Sequence, residues 1–193
     1  MSLVILKVDR DNKTCSIYSE GITCSGHEIV NTDSVKIKHI KISKDYGNYD
    51  ILIGCVGGAM LNVYVRSHFQ TLIETIISNH NTSVYSDELI MEIMIKFRSM
   101  IDEYIAFNGT KDEISFGCVF SINGSLFKVE QYDKSELSCV MITDKNYVCV
   151  GQEHVAAQCL IHNNIDINKV FKTISRFNNA VNDKMDYITI NYE

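Results

Sequence analysis

Apolar and polar positions along the chain fall into three blocks of different period. From Ser2 to about Gly58 the pattern is that of strands. Leu3–Val8 is apolar and β-branched, Asp9-Arg10-Asp11-Asn12-Lys13 is a turn, and Thr14–Ser19 returns as a second strand. Ser34–Ile42 alternates and then slips phase at His39-Ile40, as expected of a bulge or of a strand buried on both faces. Tyr49–Val56 is a further strand ending in Gly57-Gly58.

The second block has helical spacing. Val65, Phe69, Leu72, Ile73, Ile76 and Ile77 form one apolar stripe. Leu89, Ile90, Ile93, Met94, Phe97, Met100, Ile101, Tyr104 and Ile105 form a second. A loop at His80–Tyr85 divides them, with Ser83 or Ser86 as cap, and Met91, Met94 and Met100 are expected to fill the core. The third block returns to strands: Ile114–Ser121 and Leu126–Gln131 around an Asn123-Gly124 hairpin, then Glu136–Thr143 and Tyr147–Gly151. Helical patterns at Val155–Ile161 and Asp166–Val181 and a closing strand at Met185–Ile190 complete it. This order predicts an α+β layered domain, two sheets with helices outside, spanning residues 1–193 without a linker or repeat.

Composition narrows the function classes. A chain of 193 residues with 46% apolar and 22% charged residues is long enough to bury a substantial core. A net charge of −6 argues against duplex nucleic acid as partner, because such binding draws its affinity from Lys and Arg on phosphates. No apolar run approaches a membrane span, and the start lacks the features of a signal peptide, so a cytoplasmic protein is expected. Seven cysteines without a C-x-x-C pair read as reduced thiols that act as small hydrophobes, and no metal or organic cofactor is suggested.

Four passages carry a family resemblance over nearly the whole chain. They are the first strand running into Arg10-Asp11-Asn12-Lys13, the segment Val35-Lys36-Ile37-Lys38-His39-Ile40, the corner Ile53-Gly54-Cys55-Val56-Gly57-Gly58-Ala59, and Val150-Gly151 followed by Val155-Ala156-Ala157. Together they resemble the proteasome β-subunit and HslV family of N-terminal-nucleophile hydrolases, which implies a four-layer αββα sandwich. The absence of a helix ahead of the first strand fits the β-type outline, with no visible propeptide.

The resemblance implies a chemistry as well. The family attacks amide carbonyls with the hydroxyl of the first residue of the mature chain, and the free α-amine, with a pKa near 8, serves as base. Removal of Met1 would make Ser2 that residue. Lys36 corresponds to the family's active-site lysine and Glu20 to its aspartate, while Gly57 and Gly58 correspond to the oxyanion-hole corner. Asp183-x-x-Asp186 stands where the family has a supporting Asp-x-x-Ser, and Gln152-Glu153-His154 replaces its Ser-Gly-Gly.

Ser2 lies two residues upstream of the family's nucleophile position, which falls nearest Val4. A two-residue shift keeps the same face of a strand. His154 is read as the start of a helix, with a role as base in another arrangement as the alternative.

By the same resemblance, partners would be peptide substrates, other copies in a homo-oligomeric ring, and an ATP-dependent unfoldase. Two alternatives are a catalytically inactive subunit kept for self-assembly and an amidohydrolase acting on a small amide.

Overall fold

The computed structural model describes residues 2–25, 28–31, 35–44, 47–79, 87–108, 115–131, 137–178 and 181–192. The elements in chain order are β1 Leu3–Asp9, β2 Thr14–Glu20, β3 Thr23–Ser25, β4 Glu28–Asn31, β5 Ile37–Lys44 and β6 Gly47–Gly57. Then come α1 Ala59–Asn79, α2 Asp87–Asn108, β7 Phe116–Ile122, β8 Ser125–Gln131, β9 Ser138–Ile142 and β10 Tyr147–Gly151. The last are α3 His154–His162, α4 Ile167–Ile174 and β11 Met185–Asn191.

Two antiparallel sheets lie face to face, ordered β10-β1-β2-β11 and β5-β6-β7-β8-β9, and β3 and β4 form a separate hairpin. Strand alternation sends successive side chains to opposite faces, and the clusters follow it. Val4, Leu6, Val8, Cys15 and Ile17 join Ile37, Leu52, Val56 and Val119 between the sheets. Leu3 and Ile5 face Val170, Phe171 and Ile174 of α4 on the outer side. On the other outer side Ile51, Ile53 and Phe120 pack beneath Phe69 of α1 and Phe97 of α2. The architecture is therefore an α+β, four-layer αββα sandwich, as the order of periods predicts.

The aromatic centre of the α1–α2 layer is continuous. Phe69 meets Phe120 edge-on at 5.1 Å between ring centroids, and Phe120 stacks on Phe127 at 4.9 Å. Such pairs add about 0.5–1.5 kcal/mol each beyond the area they bury.

Several expectations need correction in detail. The slip at His39-Ile40 is not a bulge. The β5–β6 register runs unbroken from Ile37↔Gly54 to Lys44↔Gly47. The strand is instead buried on both faces, Ile37 between the sheets and Ile40 and Ile42 under the helices.

The last helical pattern is shorter than Asp166–Val181, because α4 ends at Ile174 and Ser175 caps it. Phe177 is left exposed. Asp166 does start it, accepting the Asn168 N–H at 2.9 Å. Met91 is exposed, not core, since it stands about 200° around α2 from buried Leu89. Cys159 is exposed on α3, whereas Cys55, Cys118 and Cys149 are buried. The short β3–β4 hairpin was not anticipated, and the loop His80–Tyr85 with Ser83 and Ser86 lies outside the described residues.

Candidate active site

Glu20, at the end of β2, is fully buried and organises one side of the site. Its Oε1 accepts the Lys36 ammonium at 2.5 Å and the Leu3 N–H at 3.1 Å, and its Oε2 accepts the Ile22 N–H at 2.6 Å. Lys36 is also buried and donates to the Ile22 carbonyl. It enters just before β5, and its own carbonyl accepts the Cys55 N–H at 3.2 Å. Removing two charges from water costs several kcal/mol each, and only hydrogen bonding of this density offsets it.

The sheets come closest beside this pair. A Cβ on Gly54 would fall 2.6 Å from Val4 Cγ1 and 2.9 Å from Ile17 Cδ1. Val4, nearest the position at which the family resemblance would place a nucleophile, is thus an interior side chain of the inter-sheet cluster. Ser2 precedes β1 and is itself largely buried.

Each sheet turns into its helices through one glycine. Gly57 ends β6 with φ +116° and Gly151 ends β10 with φ +115°. These values favour glycine, and the packing enforces it. A Cβ on Gly57 would lie 2.0 Å from the Ser115 carbonyl oxygen, and one on Gly151 would lie 1.8 Å from that of Ser2. The following amides complete the corners: Gly58 N–H donates to Ser115 O at 3.3 Å and Gln152 N–H donates to Ser2 O at 3.2 Å. The Gly58 amide is consequently engaged within the fold, and Asn62 Nδ2–H donates to the Gly57 carbonyl at 3.3 Å.

A cavity of about 540 Å³ opens between the two corners. Its described lining is Ser2, Val56, Gly57, Ser115, Gly151, Gln152 and His154. His154, the first residue of α3, folds back so that Nδ1 lies 2.7 Å from the Gly151 carbonyl. A carbonyl only accepts, so Nδ1 carries the hydrogen.

The structure therefore joins Glu20 to Lys36 and brings Ser2 and Gly57 into one cavity, with Gly58 behind the corner. Asp183 and Asp186 are exposed, and Asp186 stands opposite Ser19 in the β11–β2 register. Sequence reasoning treated His154 as a helix start. Its spacing of three from Gly151 was the available signal for the bond between them. Among the described residues, no group of three His, Cys, Asp or Glu side chains is placed to hold a metal ion, and no helix is long and apolar enough to cross a membrane.

Face-to-face antiparallel sheets between two helix pairs define the proteasome-like, N-terminal-nucleophile fold class. No family model matches the chain, and no curated protein matches it. Solved structures do. BPH of Thiobacillus denitrificans in complex with epoxomicin is 11% identical with a TM-score of 0.59, covering 100% of both chains. The helical assembly of the Anbu complex from Pseudomonas aeruginosa is 13% identical with a TM-score of 0.61, covering 100% of this chain and 82% of that one. Anbu (ancestral beta-subunit) from Yersinia bercovieri is 14% identical with a TM-score of 0.59, covering 99% and 82%.

These neighbours correct the family resemblance. The likeness is to Anbu and BPH, proteasome-like structures distinct from the proteasome β-subunit and HslV family, and at such identities it is a likeness of fold.

Proposed function

We propose that the chain is a self-associating hydrolase subunit that cleaves peptide bonds with Ser2 as N-terminal nucleophile. The observation that carries this reading is the position of Glu20, whose one oxygen holds both the buried Lys36 ammonium and the amide of Leu3, the residue after Ser2. A buried cation that close to a chain start is costly unless it supports a charge that develops there.

In this mechanism the free α-amine of Ser2, exposed by removal of Met1, takes the hydroxyl proton as Oγ attacks the carbonyl carbon. Lys36 stabilises the developing negative charge, and Glu20 fixes Lys36. The Gly57 amide serves as oxyanion donor in preference to that of Gly58, which is already bonded to Ser115. The exposed Asp183 and Asp186 have no part in it. Self-association is supported by the Anbu neighbour solved as a helical assembly.

A second reading is a silent assembly subunit, favoured by the interior position of Val4 and the engaged Gly58 amide. Intact mass and a peptide epoxyketone separate the two. Loss of Met1 together with an adduct on Ser2 is expected of the hydrolase; retention of Met1, or a free Ser2 that gains no adduct, leaves the silent subunit. Sedimentation at a mass many times 21.9 kDa is expected under both.

A further inference from the structure

A single peptide plane joins Ser2 to His154. The N–H of the Gly151–Gln152 peptide donates to the Ser2 carbonyl at 3.2 Å, while its carbonyl accepts His154 Nδ1–H at 2.7 Å. The bond to Gly151 fixes the tautomer, so the unprotonated nitrogen of neutral His154 is Nε2, on the opposite side of the ring. Ser2 and His154 both line the same cavity. The neighbouring carboxylate, Glu153, is engaged by Asn178 Nδ2 at 2.5 Å. What stands beside Ser2 is therefore an imidazole with one nitrogen committed to the backbone and the other available as a base.

The geometry points to His154 as a general base for the Ser2 hydroxyl, giving this site serine reactivity that does not need a free α-amine. The inference rests on Ser2 as the nucleophile of the reading above but not on its N-terminal amine. The hydroxyl proton passes to Nε2, directly or through one water, as Oγ bonds to the substrate carbonyl carbon. It is delivered to the leaving amine nitrogen as the C–N bond breaks. Water then loses a proton to the same nitrogen, its oxygen bonds to the acyl carbon, and Ser2 Oγ departs and regains that proton. General bases of this kind contribute about 10²–10⁴-fold.

The test uses full-length protein produced with methionine aminopeptidase inhibited, so that intact mass shows Met1 retained. A fluorophosphonate needs only a reactive hydroxyl: Oγ bonds to phosphorus, fluoride leaves, and the proton goes to the base. The expected result is an adduct mapped to Ser2 despite the blocked amine. It should be slowed about 100-fold or more by His154→Asn, whose amide nitrogen keeps the Gly151 bond and whose melting temperature stays near wild type. Added imidazole should restore labelling to His154→Gly, which a role confined to holding the corner would not allow. The inference is overturned if Met1-retaining protein gives no Ser2 adduct, or if His154→Asn labels at the wild-type rate. Failure of the hydrolase reading shows separately, as an absent epoxyketone adduct on the Met1-free chain.

Discussion

Ser2 and Ser115 occupy equivalent places in the two sheets. Each carbonyl accepts the amide that follows a positive-φ glycine, Gln152 after Gly151 and Gly58 after Gly57, at 3.2 and 3.3 Å. Each serine also precedes the residue directly opposite that glycine, Leu3 facing Gly151 and Phe116 facing Gly57. The cavity lies between two copies of one backbone device.

That equivalence makes both corners intolerant of a methyl group. Gly57→Ala and Gly151→Ala each place a Cβ about 2 Å from a carbonyl oxygen at an unfavourable φ. Each should lose roughly 3 kcal/mol or more in urea unfolding. Gly151→Ala should in addition speed hydrogen exchange of β1 amides, since it pushes β10 away from β1.

Gly54 gives a prediction with an internal control. Gly54→Ala overpacks the contact with Val4 and Ile17 and should cost about 1–3 kcal/mol. Val4→Ala removes the nearest atom, so the double variant should lose less than the two single losses added together. A double-mutant cycle with strict additivity would show that the sheets do not meet as described.

The ion pair should be asymmetric in its importance. Lys36→Met leaves a carboxylate that still accepts two backbone amides, and should cost about 3 kcal/mol. Glu20→Ala orphans the Leu3 and Ile22 amides as well as the Lys36 ammonium, and should cost more. Equal losses in chemical denaturation would contradict the hydrogen-bond count.

Stability should fall at alkaline pH through the buried thiols. Burial pushes Cys15 and Cys139 up from the ordinary 9.0 to about 11, and Cys149 to about 12. Below pH 9 both states hold these protons and the contribution is complete. Between about pH 9 and 11 to 12 the unfolded chain sheds protons that the native chain retains, so unfolding becomes progressively easier. The urea midpoint should drop between pH 8.5 and 10.5, less steeply in Cys149→Ala.

Most of the layering was legible because it is written in periods. The stripes of Val65 to Ile77 and Leu89 to Ile105 dictate two helices, and Asn123-Gly124 dictates its hairpin. Ile37 against Ile40 and Ile42 shows where that legibility stops: burial on both faces and a bulge leave the same trace in sequence. The Lys36–Glu20 pair came from resemblance, since the 16 residues between them have no local periodicity. The bond from His154 to Gly151 depends on a ring folding back over a corner, which no pattern of apolar residues encodes.

The alternation at the start of β1 has a consequence for how such a chain can change. Val4 points between the sheets and Leu3 toward α4. Insertions or deletions ahead of Leu3 therefore obey a rule of odds and evens. Even changes can carry a hydroxyl toward or away from Lys36 without turning it, whereas a single added or lost residue presents it to the helices. The chain start has a reading frame of its own, counted in twos.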